Sequence, residues 1–256
     1  MNFLFSPWDF FLVLGRTSFL FGFFPMFSEM QIPQTVRAGL AIWVSLVIMP
    51  TLPPSHFQPN GVFDLFGAVF LEGVLGGLFA FSIRLVFTTI SLGTQWIDSE
   101  IGFQVAQQIS PLSGTPNSPF GTLALVITAL IFWCTGLFED LLIVWVRLFQ
   151  VLPPPIHSLK PAVGDAVIFL TTKIFVGALQ VATPVIFVMF LVSLAIGLLA
   201  RALPGVNFFV ESYNVKMLVG LSFLVVISPF LLTLIHHQLD RIPESWLTLV
   251  RALNSK

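Results

Sequence analysis

Long apolar runs dominate the pattern of hydrophobic and polar positions along this chain. Segments rich in proline, glycine, serine and asparagine separate them. The apolar runs cover residues 8–27, 36–52, 62–92, 123–149, 166–203 and 215–235. A hydrocarbon core about 30 Å thick takes about 20 helical residues to cross. Runs of this length without two-residue alternation do not fit barrel strands of about 10 residues. We therefore predict an all-α, polytopic membrane protein.

Two of the runs are too long for a simple span. At 1.5 Å per residue, residues 62–92 would extend about 46 Å and residues 166–203 about 57 Å. The second run contains Pro184 near its middle, where the missing N–H and the ring favour a kink or a hairpin. The pattern predicts long, kinked helices and helical hairpins that protrude from the bilayer or break, instead of a bundle of six regular spans.

Composition narrows the class of protein. The chain has 256 residues, of which 56% are hydrophobic and 9% are charged, whereas an ordinary soluble domain has about 25% charged residues. The 11 basic and 12 acidic residues give a net charge of −1, so the basic clusters that bind nucleic acid are not expected. The 29 phenylalanines against one tyrosine are unusual for lipid-facing helices. We expect many of these rings to be exposed on the isolated chain and to contact partner subunits.

Charged residues inside the apolar runs are candidate functional residues, because each costs about 2.5–3.5 kcal/mol at a bilayer centre on insertion scales. The candidate intramembrane or interface charges are Arg16, Arg37, Glu72, Arg84, Lys173 and Lys216. Asp9 and Arg16 lie two helical turns apart, too far for direct contact, so partners on other helices are implied. A transporter would use such charges as a proton or ion relay. Ion pairs between helices or subunits are favoured, because no two charges have relay spacing.

Small residues follow one of these charges. Gly73 and Gly77 form a GxxxG pattern, with Gly76 beside them and Glu72 before them. Such residues let helix backbones approach closely. The pattern predicts a tight helix contact around Glu72.

One long polar segment carries no charge. Residues 107–118 read QQISPLSGTPNS, and their prolines exclude a regular helix. A surface loop is one interpretation and is favoured by composition. A loop inserted into a pore is the other, since irregular backbone at membrane depth is tolerated where it lines a cavity or is buried in protein.

The sequence contains no enzyme signature. HExxH, GxSxG and phosphate-binding loops do not occur. His236 and His237 are adjacent and point about 100° apart on a helix, which suits one metal ion poorly. We predict a protein that is not an enzyme and has no metal and no cofactor.

Ordered blocks extend over nearly the whole chain. They are residues 16–27, which end in Phe24-Pro25-Met26-Phe27; 32–53; 72–87, EGVLGGLFAFSIRLVF; 93–111, GTQWIDSEIGFQVAQQISP; and 200–209, ARALPGVNFF. With these blocks the chain resembles the FliR family of flagellar export-gate proteins, which is related to the SctT subunits of type III secretion. It departs from the family pattern at Ser110, at residues 135–137 and at residues 212–214.

The resemblance implies a subunit of the flagellar type III protein export channel. One copy would join about five FliP and about four FliQ subunits, with one FlhB at the entrance, and would close their ring. Residues 1–200 would form a FliP-like part and residues 201–256 a FliQ-like hairpin. The assembly would lie in the bacterial inner membrane, in the flagellar basal body, with much of it raised toward the periplasm.

The resemblance also assigns roles to residues. It reverses the interpretation of residues 107–118 and implies a loop that plugs the closed pore for unfolded substrates. The implied plug residues are Gln107, Gln108, Ser110, Pro111, Ser113, Gly114, Thr115, Pro116 and Asn117. Glu72, Arg84 and Lys173 would serve subunit contacts. Two alternatives remain: a virulence type III export-gate subunit, and a self-sufficient secondary transporter that couples through Glu72, Arg84 and Asp140.

Overall fold

The structure is a computed structural model, and it describes residues 7–29, 32–53, 57–103, 119–156, 158–202 and 208–254. Those residues form helices and connecting turns and include no β-strand. The helices are α1 (Pro7–Phe23), α2 (Pro25–Glu29), α3 (Gln34–Ile48), α4 (Val62–Ile101), α5 (Pro119–Cys134), α6 (Leu137–Val151), α7 (Pro161–Ala202), α8 (Phe208–Leu239) and α9 (Ile242–Asn254). A short 3-10 turn, Met49–Thr51, follows α3. The predicted all-α class is confirmed.

Four helical segments in the described part of the chain are long and apolar enough to cross a membrane, and a bent helix pair could supply a fifth. The four segments are Gln34–Thr51, Val62–Ile101, Pro161–Ala202 and Ser212–Asn254. The polytopic character predicted from the apolar runs is therefore confirmed.

The two overlong runs remain continuous helices. The 40 residues of α4 would extend about 60 Å at the helical rise. Helix α7 continues through Pro184, so the hairpin alternative at this proline is wrong. A turn in apolar surroundings would leave several backbone groups without partners, whereas a proline inside a helix removes one N–H and its hydrogen bond.

The run predicted at residues 123–149 breaks in two. Helices α5 and α6 are bent by 63° at the break that follows Cys134. Gly136 has φ of 75°, in the left-handed region that costs glycine little, and its N–H donates to the Trp133 carbonyl at 3.3 Å. Hydropathy does not register this break, because Gly136 interrupts the helix through its backbone conformation and not through polarity.

The chain divides into two compact units that alternate along the sequence. The first comprises Met1–Leu85, Phe132–Thr171 and Arg241–Lys256, and the second comprises Val86–Ile131 and Thr172–Asp240. This compactness does not test the predicted division into residues 1–200 and 201–256, which stays a prediction.

The first unit has an aromatic centre. Phe79, Trp145 and Trp246 are each at most 1% exposed and make edge-to-face contacts with ring centroids 5.2–5.9 Å apart. Trp246 comes from α9, a helix that the apolar runs did not predict. Its buried side chains are Ile242, Ser245, Trp246, Leu249 and Leu253. This spacing of three and four residues is typical of an amphipathic helix. It is the feature of the sequence from which α9 could have been predicted.

The second unit is built around aliphatic side chains from α4, α7 and α8. Its buried core consists of Ile97, Ile101, Val181, Ala182, Val185, Met189, Leu224 and Leu231. Glycines bring the helices close together: a β-carbon on Gly93 would lie 2.9 Å from the Ala178 carbonyl oxygen, and one on Gly220 would lie 2.7 Å from Ile101. The end of α4 is therefore held firmly in this unit.

Candidate functional site

A buried ion pair lies between α1 and α4 in the first unit. The Arg16 and Glu72 side chains are both 0% exposed. Arg16 Nε donates to Glu72 Oε2 at 2.6 Å, and Nη2 lies 2.6 Å from the same oxygen. Arg16 and Glu72 belong to different apolar runs of the sequence, and the structure shows that they pair with each other. Of the roles considered for these charges, the structure shows an ion pair between helices.

The same pair holds the turn that follows α6. Arg16 Nη1 donates to the Leu152 carbonyl at 2.8 Å, and Glu72 Oε1 accepts the Ile156 N–H at 2.8 Å. The Arg16 guanidinium carbon also lies 4.5 Å from the centroid of the Phe149 ring, within the range of a cation–π contact. The proline-rich turn at residues 152–156 is thus fastened to α1 and α4 through one buried salt bridge.

These contacts correct the role expected for Glu72. A side chain that is 0% exposed and bonded within its own chain has no surface to offer a neighbouring subunit. Arg84 and Asp140, which the transporter alternative groups with Glu72, are exposed. Glu72 links α1, through Arg16, and the turn at residues 152–156 to α4 within the first unit.

Close helix packing surrounds this pair. A β-carbon on Gly76 would overlap the Arg16 carbonyl oxygen, and one on Gly73 would lie 2.8 Å from the Phe19 ring. Gly77 has more room, with 3.7 Å to the same ring. On the opposite helix, a β-carbon on Gly15 would lie 2.9 Å from the Val69 side chain. The small residues singled out in the sequence lie at the α1–α4 contact, and Gly15 is a member that the GxxxG pattern did not reveal.

Arg37, expected as an interface charge, also bonds within the chain. Its guanidinium donates to the carbonyl oxygens of Phe27 at 2.6 Å, Ile32 at 3.0 Å and Gly22 at 3.4 Å. The last carbonyl groups of a helix have no partner in the helix itself, and Gly22 and Phe27 lie near the ends of α1 and α2. Arg37 therefore caps these two helix ends.

The other candidate charges have different surroundings. Arg84 and Lys173 are exposed, and Lys216 is partly exposed. Their expected subunit contacts stay predictions. In the part of the chain that the structure describes, no three His, Cys, Asp or Glu residues are grouped so that they could hold a metal ion.

The predicted plug residues lie outside the described residues, from Gln107 through Asn117. The nearest described residues on either side, 103 and 119, belong to the second unit. Helix α4 ends at Ile101, and Gly102 follows with φ of 97°. Helix α5 begins at Pro119, and the N–H of Gly121 donates to Asp98 Oδ2 at 3.1 Å. Asp98 is 0% exposed, and the sequence interpretation had not singled it out, although it is an acidic residue in a long helix.

Comparison with known proteins supplies the family. Residues 8–242 match the family described as bacterial export proteins, family 1. The chain is 27% identical over 225 residues to the flagellar biosynthetic protein FliR of Escherichia coli (strain K12), covering 85% of this chain and 83% of that protein. It is 26% identical over 271 residues to the flagellar biosynthetic protein FliR of Pectobacterium carotovorum subsp. carotovorum, covering 98% of both.

A protein with a different name is also similar. The chain is 24% identical over 223 residues to the surface presentation of antigens protein SpaR of Salmonella typhimurium (strain LT2), covering 86% of this chain and 81% of that protein. These matches agree with the prediction that the chain is not an enzyme, since the names describe export, flagellar biosynthesis and surface presentation. With membrane-length helices and a match over residues 8–242, the chain belongs to the bacterial export proteins, family 1, the family of the flagellar biosynthetic protein FliR.

Proposed function

We propose that the chain is a structural and gating subunit of the flagellar type III protein export channel. It closes a ring of FliP-type and FliQ-type subunits and contributes a plug to the pore through which unfolded substrates pass. The observation that carries the proposal is the family match over residues 8–242, joined to similarity with proteins named FliR along most of their length. The assembly lies in the inner membrane at the flagellar basal body, raised toward the periplasm.

The exposed aromatic surface supports a role in a larger assembly. Twelve phenylalanines in the described ranges are at least 36% exposed. They are Phe11, Phe19, Phe23, Phe63, Phe66, Phe70, Phe81, Phe169, Phe175, Phe187, Phe190 and Phe230. Phe63, Phe66 and Phe70 follow helical spacing at the start of α4, with exposures of 94%, 71% and 53%. Large rings pack by dispersion and need no hydrogen-bond partner, which suits contacts with the apolar helices of neighbouring subunits.

Within this proposal, the buried and the exposed charges have separate tasks. The pair of Arg16 and Glu72 keeps α1, α4 and the following turn together. Arg84 and Lys173, which are exposed, together with Lys216 contact FliP-type, FliQ-type or FlhB-type partners. Residues 1–200 form the FliP-like part and residues 201–256 the FliQ-like hairpin.

Purification of the chain with a C-terminal tag is expected to recover a hetero-oligomer. On this proposal, mild detergent extraction from the native host gives a complex of roughly ten chains that includes FliP-type and FliQ-type subunits. Native mass spectrometry measures the composition. A stable monomer or homodimer that binds a small solute contradicts the proposal and favours the secondary transporter.

A second candidate function is distinguished by the same preparation. Similarity to SpaR of Salmonella typhimurium favours a virulence-type export gate as the alternative. Flagellar subunits among the co-purified chains support the flagellar assignment. Subunits of a virulence secretion system in their place support the alternative.

Deletion of residues 110–117 is expected to open a leak while the complex still assembles. The deleted residues are the centre of the proposed plug, and the flanking helices retain their ends at Ile101 and Pro119. The measurement is the entry of a membrane-impermeant dye across the inner membrane of spheroplasts, with the amount of assembled complex determined in parallel. A control is Gly67→Ala, whose added β-carbon meets no atom within 4 Å and which is expected neither to leak nor to lower assembly. Normal assembly without a leak removes the gating role.

A further inference from the structure

One helix of the second unit continues through a proline that lies among exposed apolar side chains. Helix α8 runs from Phe208 to Leu239 with Pro229 inside it. Proline has no N–H, so the carbonyl oxygen four residues before it, that of Val225, receives no hydrogen bond from position 229. Val225 and Phe230 are 70% and 51% exposed. Lipid chains or an apolar neighbouring helix at this surface would offer no donor to that oxygen.

The side chain of the residue before the proline supplies a donor. Ser228 Oγ donates to the Val225 carbonyl at 2.9 Å. Other helical serines, such as Ser45 and Ser222, donate to the carbonyl four residues before them, which their own N–H also bonds in a regular helix. Ser82 bonds three residues back as well, but no proline follows it. The Ser228 hydroxyl thus replaces the backbone bond that the proline removes.

The proline inside α7 is arranged differently. Pro184 also follows a residue with a hydroxyl, Thr183. That hydroxyl donates to the Leu179 carbonyl at 2.6 Å, whereas an N–H at position 184 would bond the carbonyl of Gln180. A hydroxyl beside a helical proline therefore does not by itself bond the carbonyl that the proline leaves, and the arrangement at Ser228 is specific to α8.

Pro229 lies on the side of α8 that faces away from the core. The buried residues of this helix include Gly220, Leu224, Leu231 and Ile235, whose spacing places them on one face. Pro229 is exposed and points about 140° from Leu224 and about 160° from Leu231. A proline ring displaces the carbonyl of the preceding turn, which is why kinks occur there. On this side the displacement opens the outer surface of the helix, so a bend would carry α8 toward its core.

We propose that Ser228 and Pro229 form a bending point in α8, which the Ser228 hydroxyl bond holds closed. The bond belongs to a side chain that is made or released by rotation about χ1. The helix can therefore change its angle at this point while the turns on either side keep their backbone bonds. The bending point is independent of the proposed function, because it depends only on the residues of one helix.

A set of substitutions isolates the hydroxyl bond. Ser228→Ala removes the hydroxyl, Pro229→Ala restores a backbone N–H, and the double variant tests whether the hydroxyl matters once that N–H is present. The matched control is Ser222→Ala. Ser222 is also exposed on α8, and its hydroxyl donates to the Leu218 carbonyl at 2.8 Å, with no proline to remove a backbone bond.

Two readouts are taken on the full-length chain, purified with its C-terminal tag and placed in lipid nanodiscs. The first is the distance distribution between spin labels at the exposed positions Leu218 and His236, introduced as cysteines after Cys134→Ser. These positions lie 18 residues apart on one face of α8, about 27 Å along a straight helix. The second is amide hydrogen exchange of residues 222–234, measured by mass spectrometry.

We expect Ser228→Ala to broaden the distance distribution and to raise the exchange rate of residues 222–234 several-fold. Pro229→Ala should narrow the distribution and slow the exchange, and the double variant should match Pro229→Ala. Ser222→Ala should match the parent in both readouts.

Several results would overturn the bending point. Parent-like values for Ser228→Ala do so, as does faster exchange with an unchanged distribution, or a broader distribution without faster exchange at residues 222–234. An equal effect of Ser228→Ala in the Pro229→Ala background, or of Ser222→Ala in the parent, shows that the proline is not involved and has the same consequence. If Ser228→Ala cannot be purified, Pro229→Ala decides: a narrower distribution with slower exchange supports the bending point, and parent-like values overturn it.

Discussion

Replacement of Glu72 by leucine is expected to destabilise the first unit by about 3–5 kcal/mol, the cost of leaving the partner of a buried ion pair uncompensated. Arg16 would keep its charge at 0% exposure, and the Ile156 N–H would lose its acceptor. The expected result is a large drop in the apparent melting temperature of the purified protein in detergent. Tryptophan fluorescence is a suitable probe, because Trp145 and Trp246 lie in the core of the same unit.

The double variant Arg16→Met/Glu72→Leu is expected to be more stable than Glu72→Leu alone. Apolar replacements of both partners remove the uncompensated charge, and such exchanges are often nearly neutral. A double-mutant cycle measures the coupling. Asp64→Leu is the control for loss of a carboxylate from α4, since Asp64 is exposed and bonds the nearby Asn60 N–H; it is expected to change the melting temperature little. Equal melting temperatures for Glu72→Leu and the parent protein would show that the pair contributes no stability.

The second large effect is expected from the addition of a single methyl group at Gly76. Gly76→Ala introduces a β-carbon onto the Arg16 carbonyl oxygen, and backbone atoms of a packed helix cannot rotate away as a side chain can. Overpacking a core costs about 1–3 kcal/mol and occasionally more. The α1–α4 contact must widen, which also lengthens the bonds between Arg16 and Glu72. We expect a lower melting temperature and less assembled complex.

Gly67→Ala is the matched control on the same helix. A β-carbon on Gly67 meets no atom within 4 Å, so the substitution is expected to stabilise α4 by up to about 1 kcal/mol through helix propensity. The same chemical change should therefore have opposite signs at two positions nine residues apart. Gly73→Ala should fall between them, because the Phe19 ring that it meets is partly exposed and can shift. A neutral Gly76→Ala would show that the close contact between α1 and α4 is not required.

Much of the secondary structure could be predicted from residue order alone. Apolar runs such as 62–92 and 166–203 predict helices because a backbone in lipid must satisfy its own hydrogen bonds. The break at Gly136 could not be predicted in the same way, since a left-handed residue leaves no mark in hydropathy. Helix α9 was not predicted, because only continuous apolar runs were read as helices and an amphipathic helix has a single apolar stripe.

Some of the candidate site residues could be predicted from the sequence, but their bonding partners could not. Arg16, Glu72 and Gly76 stand out in sequence because a charge or a close backbone contact in an apolar run has few explanations. Their partners did not stand out: Arg16 and Glu72 are 56 positions apart, and Arg37 bonds carbonyl groups that every residue carries. Asp98 was not singled out, because its bond to the Gly121 N–H depends on the start of α5 lying beside the end of α4.

The residue order by itself determined the membrane class, the helical fold and the family, because these follow from chain-wide polarity and from blocks of residues in a fixed order. Only the tertiary structure decided which charged side chains bond within the chain and which lie at its surface. A charge in an apolar run carries the same cost wherever it stands, and its role depends on the atoms that surround it. Those atoms come from distant segments, as Leu152 and Ile156 do at the pair of Arg16 and Glu72.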